Sequence, residues 1–213
     1  QNAYSNPSAK YAIEDGKLKI TNDGADSYAL MLSEDFMSAY AGKILTIQYD
    51  MTYTTASDTG RYFAILTNYG GQTYNSFHFR NRGSGNNQAH FNGRWVTYDV
   101  ADGYDAFSTA DDKNGASSIA FKLLGKKCDG SALFANVAVT VRLVLDPQSG
   151  LRAYMKLADK DTDAFVLVSR PALDATNTKA TFDATLSSNA ICFKVGGKQN
   201  GYVDNIAVWT GEG

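Results

Sequence analysis

Short runs in which apolar and polar residues alternate recur along the chain, separated by clusters of Gly, Asn, Asp and Pro. The clearest cover residues 17–21, 43–54, 61–68, 76–82, 88–91, 94–100, 117–124, 137–146, 151–158, 165–170, 190–195 and 202–209. Alternation with a period of two places successive side chains on opposite faces of a pleated strand, so each run predicts a half-buried β-strand. The breaks carry turn chemistry: Asp15-Gly16, Asn22-Asp23-Gly24, Gly70-Gly71, Asn92-Gly93, Asp129-Gly130, Asp146-Pro147-Gln148-Ser149-Gly150 and Gly196-Gly197. Many short strands at regular spacing, without long helical patterns between them, predict a sandwich or barrel rather than a parallel sheet. Only residues 33–40 have helix-like character, with Ser33 placed to cap a single turn before Gly42. No repeat, linker or low-complexity tract interrupts the pattern, so one domain is expected over residues 1–213.

One hairpin is especially legible. Residues 137–146 read Val-Ala-Val-Thr-Val-Arg-Leu-Val-Leu-Asp, turn at 147–150 and return as Leu151-Arg-Ala-Tyr-Met-Lys-Leu157. Val137, Val139, Val141, Leu143 and Leu145 share one face and are expected in the core, with Thr140 and Arg142 facing outward.

Composition supports an all-β reading. Tyr and Phe number 13 and 11, and Glu occurs only at positions 14, 34 and 212, so a strong helix former is scarce and strand-favouring aromatics are plentiful. The net charge of −2, with Lys and Arg dispersed, argues against a nucleic-acid partner, which calls for a basic patch. No apolar run approaches the ~20 residues of a membrane-spanning helix, and no membrane insertion is expected. The chain opens at Gln1 rather than Met, which reads as a mature chain or an excised domain. Cys128 and Cys192 stand 64 positions apart and are either one disulfide or two buried thiols. No Cys-x-x-Cys pair marks a structural zinc site.

The closing segment Gly201-Tyr-Val-Asp-Asn-Ile-Ala-Val-Trp209 resembles the final strand of concanavalin-A-like domains, a group that includes laminin-G-type modules, laminarinase-type glycosidases and appended carbohydrate-binding domains. The 137–157 hairpin with its Asp-Pro-x-x-Gly turn, and the opening Asp15-Gly16-Lys17-Leu18-Lys19-Ile20, are similar to the middle and start of that group. The resemblance implies a two-sheet antiparallel jelly-roll β-sandwich. A secreted or cell-surface location and a monomer are expected. In several members the Asp of the last strand ligates a structural calcium with nearby carbonyl oxygens. Asp204 holds the matching position and becomes the candidate ligand. The competing reading makes Asp204 an edge carboxylate bonded to backbone amides.

Glycosidases of this fold carry Glu-x-Asp-x-x-Glu on one strand, and no segment here matches it. The acidic run Asp159-Lys-Asp-Thr-Asp163 lacks the Gly and Glu of a calcium loop and is expected to be a solvated hairpin loop. A different constellation draws attention. Ser76-Phe-His-Phe-Arg-Asn-Arg82 alternates Phe77 and Phe79 with His78, Arg80 and Arg82, and Gln88 and His90 alternate after the Gly83-Ser84-Gly85 turn. A hairpin centred on Ser84 sets His78 opposite His90 and Arg80 opposite Gln88, and opposed residues share a sheet face. Such a set suits the hydroxyls or carboxylate of a sugar. The same piece resembles jelly-roll alginate lyases in Gln88-Ala89-His90, in Arg80 and Arg82, and in Phe193-Lys194-Val195-Gly196. It departs from them in lacking the Glu of the Arg strand, in the short spacing of the first two motifs, and in Cys192 where those enzymes have Tyr. His90 and Tyr98 are the candidate bases if lyase chemistry occurs. The alternative is that the two histidines are ordinary polar or packing residues of a hairpin.

Aromatic side chains stack on the apolar face of a pyranose. The platforms near this hairpin are Tyr62, Tyr69, Tyr74, Trp95, Tyr98 and Tyr104, each individually more suited to a core than to a ligand. The favoured function is therefore non-catalytic polysaccharide binding. A polysaccharide lyase and a laminin-G-type protein-binding domain are the alternatives.

Overall fold

A computed structural model of the chain describes residues 9–22, 27–31, 42–54, 61–67, 75–81, 87–92, 123–125, 134–148, 150–161, 164–167, 192–196 and 199–213. The strands, in chain order, are β1 (Ala9–Glu14), β2 (Lys17–Asn22), β3 (Ser27–Met31), β4 (Leu45–Tyr53), β5 (Arg61–Thr67) and β6 (Asn75–Asn81). They continue as β7 (Asn87–Asn92), β8 (Ala138–Asp146), β9 (Gly150–Leu157), β10 (Val166–Leu167), β11 (Cys192–Gly196) and β12 (Gln199–Thr210). A seven-stranded sheet runs β1-β2-β12-β4-β8-β9-β10, and a five-stranded sheet runs β3-β11-β5-β6-β7. All pairings are antiparallel. The result is the β-sandwich that the alternation predicts.

Burial follows the pleat. In β4, Leu45, Ile47, Tyr49 and Met51 are buried, and the register sets them opposite Leu145, Leu143, Val141 and Val139 of β8, which are buried too. β9 extends the same face with Ala153, Met155 and Leu157, and Ile20 and Val203 complete it on β2 and β12. Each Val, Leu, Ile or Met among them contributes roughly 1.5–3 kcal/mol on leaving water. Phe193 of β11 is buried against this face, its ring meeting Tyr49 edge-on at 5.1 Å and 74°. This contact joins the two sheets.

The turns use the residues expected of them. Asp15 and Gly16 both have positive φ, at 51° and 79°, which suits a two-residue hairpin following the twist of β1 and β2. At the β8–β9 turn the Asp146 carboxylate accepts the Gln148 amide at 2.8 Å. Asp159, Lys160 and Asp161 are exposed in a turn after β9, so the described part of the acidic run is a solvated loop.

The structure adds to and corrects the sequence reading at several places. β1 and β3 were not anticipated. Of the strand expected at 117–124, Leu123 and Leu124 are helical, and the rest lies outside the described residues. Of the strand expected at 165–170, Val166–Leu167 is a strand, Phe165 precedes it, and the rest lies outside the described residues. Val137 is half-buried rather than buried, and Thr140 is buried despite lying on the outer face, where its hydroxyl donates to Asp50 Oδ1 at 2.6 Å. The expected helical turn at 33–40, the strand at 94–100 and Cys128 lie outside the described residues.

The closing strand is also not continuous. β12 pairs Asp204 with Asp50 and then Ala207 with Gln48, so it takes three steps against two on β4 and bulges between. Asn205 in this bulge has φ 50°, a left-handed conformation that Asn tolerates, and its side-chain amide donates to Asp50 Oδ2 at 2.7 Å. Without the extra residue, Trp209 would share the inward parity of Val203. With it, Val208 pairs opposite buried Ile47, and Trp209 pairs opposite Thr46 on the outer face.

Candidate functional site

Phe193 fixes which face of the five-stranded sheet turns inward. Positions of its parity run across the sheet as Leu30, Phe193, Ile65, Phe77 and Phe91 in one row, and Tyr28, Val195, Phe63, Phe79 and Ala89 in the next. Both rows are almost entirely apolar, as an inner layer requires. The intervening positions belong to the opposite, outer face. One outer row reads Ala29, Lys194, Ala64, His78 and His90, and another reads Tyr62, Arg80 and Gln88.

The register therefore places His78 opposite His90 and Arg80 opposite Gln88, the pairing expected from a hairpin centred on Ser84. It also brings in Lys194, which the sequence reading did not nominate as a ligand residue. The signal for it was available: Phe193-Lys194-Val195 alternates, and a core Phe193 sends Lys194 to the other side. Tyr62, named only as one platform among many, falls in register with Arg80. Arg82, Tyr69, Tyr74, Trp95 and Tyr98 lie outside the described residues.

The charge content of this sheet is one-sided. Its five strands include Arg61, His78, Arg80, His90 and Lys194 and contain no Asp or Glu. A carboxylate pair for acid–base glycoside hydrolysis is therefore absent from these strands. What the outer rows offer is a set of donors with amphoteric imidazole, amide and phenol groups among them, the inventory that sugar hydroxyls engage.

Asp204 lies on the outer face of the other sheet. Its Oδ1 accepts the Asn205 amide at 2.8 Å, while both oxygens of the opposed Asp50 are engaged by Thr140 and Asn205. Among the described residues no three His, Cys, Asp or Glu side chains converge on one point. Those residues alone do not make a calcium cage, which takes 6–8 oxygens. A cation at Asp204 requires ligands from elsewhere in the chain.

No protein-family model matches the chain, and no curated protein matches it. Solved structures do. The exoplasmic/lumenal domain of VIP36, in a form bound to Ca2+ and Man3GlcNAc, superposes with a TM-score of 0.53 at 9% identity, covering 94% of this chain and 81% of that one. Carbohydrate-binding module CBM66 from Bacillus subtilis gives 0.48 at 10% identity over 94% and 91% of the two chains. Metal-free lectin I-B4 from Griffonia simplicifolia gives 0.49 at 8% identity over 95% and 91%. The VIP36 likeness bears on the fold alone and agrees with the two-sheet antiparallel β-sandwich.

Proposed function

We propose that the chain is a non-catalytic polysaccharide-binding module of a larger secreted or cell-surface protein, and that its glycan lies across the outer face of the five-stranded sheet. The observation that carries this reading is the register. Lys194, His78 and His90 form one row beside Tyr62, Arg80 and Gln88, on strands without a single carboxylate. Cationic donors on strands that carry no carboxylate are matched by the oxygens of an external ligand. Tyr69, Tyr74, Trp95, Tyr98 and Arg82 complete the proposed site from the adjoining segments, as stacking platforms and a further donor. The sugar-bound state of the VIP36 domain shows that a sandwich of this shape accommodates a glycan. Calcium belongs to the proposal as a structural ion held in part by Asp204, and the working unit is a monomeric single domain.

Native affinity electrophoresis against a panel of neutral and uronate polysaccharides, with calcium and with chelator, tests the reading. Retardation by one polymer that stays intact is the expected result, and its loss in chelator would assign calcium a role. Retardation by none would contradict the proposal and favour a laminin-G-type protein-binding domain. A lyase is the second reading, favoured by the alignment of Gln88-x-His90 with Lys194 in one sheet. In a lyase a base removes the proton α to a carboxylate, and the basic groups neutralise that carboxylate. Consumption of a uronate polymer, lost in His90→Ala, is its signature.

A further inference from the structure

We propose that the outer face of the seven-stranded sheet carries a second binding site, for a carboxylate-bearing sugar, centred on Arg142. Four cations of this face fall into two groups. Lys19 is paired with Glu14 at 2.7 Å, and Arg152 is held by both oxygens of Glu212 with Asp146 at 4.0 Å. Arg142 and Lys156 form no ion pair among the described residues. Arg142 is instead fixed by a hydrogen bond from its Nε to Gln48 Oε1 at 3.0 Å, and by aromatic rings. Its guanidinium carbon lies 4.1 Å from the centre of Phe165 and 5.6 Å from that of Trp209. Lys156 Nζ lies 5.6 Å from the same Phe165 ring.

This arrangement orients the guanidinium without consuming it. With Nε bound to Gln48, the terminal nitrogens make no hydrogen bond among the described residues and present the fork that binds a carboxylate through two parallel bonds. A second positive charge, Lys156 Nζ, lies 5.6 Å from the centre of the same ring. Phe165, Trp209, Arg142 and Lys156 are each half-buried, so the rings are neither sealed in the core nor spread in solvent. Their presence distinguishes the site from a simple anion site, because a flat apolar surface beside a carboxylate-binding fork matches a uronate pyranose. The β12 bulge is what makes the site possible, since it puts Trp209 on the outer face, from where its ring reaches across β4 to within 5.6 Å of the Arg142 guanidinium carbon.

The test uses isothermal titration with an oligogalacturonate, a neutral galacto-oligosaccharide of equal length, and acetate. The protein carries the paired substitutions His78→Ala and His90→Ala, so that the five-stranded face is disabled. The oligogalacturonate should bind this background, and adding Arg142→Gln should weaken it about tenfold or more, as loss of charge-assisted bonds implies. Lys156→Gln, which leaves the Gln48 bond in place, should weaken it by a smaller factor of about three. Unchanged affinity in both variants, or no binding to the background, would overturn the proposal. Equal affinity for acetate would overturn the assignment to a sugar. Failure here leaves the behaviour of His90→Ala in affinity electrophoresis untouched, so the two sites stand or fall separately.

Discussion

The two outer faces of the sandwich handle polar residues in opposite ways. On the seven-stranded sheet, strands that carry cations also carry their counter-groups: Glu14 with Lys19, Asp50 with Thr140 and Asn205, Gln48 with Arg142. On the five-stranded sheet the strands carry Arg, His and Lys with no Asp or Glu at all. Self-satisfied pairs add modest stability and leave little for a ligand, whereas cations on strands without a carboxylate suit the oxygens of one. Arg142 and Lys156 are the place where the first face begins to behave like the second. The difference between the two faces is thus whether a carboxylate complement is carried by the sheet itself, and the proposed binding face is the one without it.

The largest effect should come from the residue that sets the two faces apart. Phe193→Ala opens a cavity against Tyr49 and should cost about 3–5 kcal/mol in chemical denaturation. A cost below ~1 kcal/mol would mean that Phe193 is not the anchor that assigns parity to β11. Asp50→Ala should cost about 1–3 kcal/mol, because it leaves the Thr140 hydroxyl and the Asn205 amide without their acceptor. No change would show that the seven-stranded face does not depend on its internal pairs.

Tyr49 offers a test of opposite sign. Among the described residues its buried hydroxyl has no hydrogen-bond partner, and burial pushes the phenol pKa upward. Tyr49→Phe keeps the ring against Phe193 and should raise stability by about 1 kcal/mol, read as a higher denaturation midpoint. The smallest effect belongs to Glu14. Lys19 and the Tyr202 hydroxyl hold its carboxyl below the ordinary 4.5, so it favours the folded state above that pH. That contribution fades as pH falls below 4.5 through the depressed folded value. Glu14→Gln should therefore lower the melting temperature slightly near neutrality, with the two proteins converging in acid.

Much of the fold was legible because alternation reports burial directly. β8 and its return strand β9 were read as a hairpin, with the correct inward parity for Val139, Val141, Leu143 and Leu145, and the β6–β7 register followed from the Gly83-Ser84-Gly85 turn. β1 escaped because its pattern has no burial behind it: Ile13 is 73% exposed, and the strand is fixed by pairing with β2 at the sheet edge. The β12 bulge escaped although Val203 and Val208, both apolar and five positions apart, cannot face one core on a regular strand. Lys194 escaped because its row forms only when β11 is inserted between β3 and β5, a long-range pairing with no local mark. Strand content is written locally, while sheet order joins residues more than a hundred positions apart.

Hydrogen exchange of the backbone, with and without the polysaccharide that retards the protein, tests the central claim most directly. Bound glycan should slow exchange in β6 and β7, Asn75–Asn81 and Asn87–Asn92, and leave β4, Leu45–Tyr53, unchanged. Protection confined to the seven-stranded sheet, or absent from β6 and β7 while the polymer is bound, would contradict the placement of the glycan on the five-stranded face.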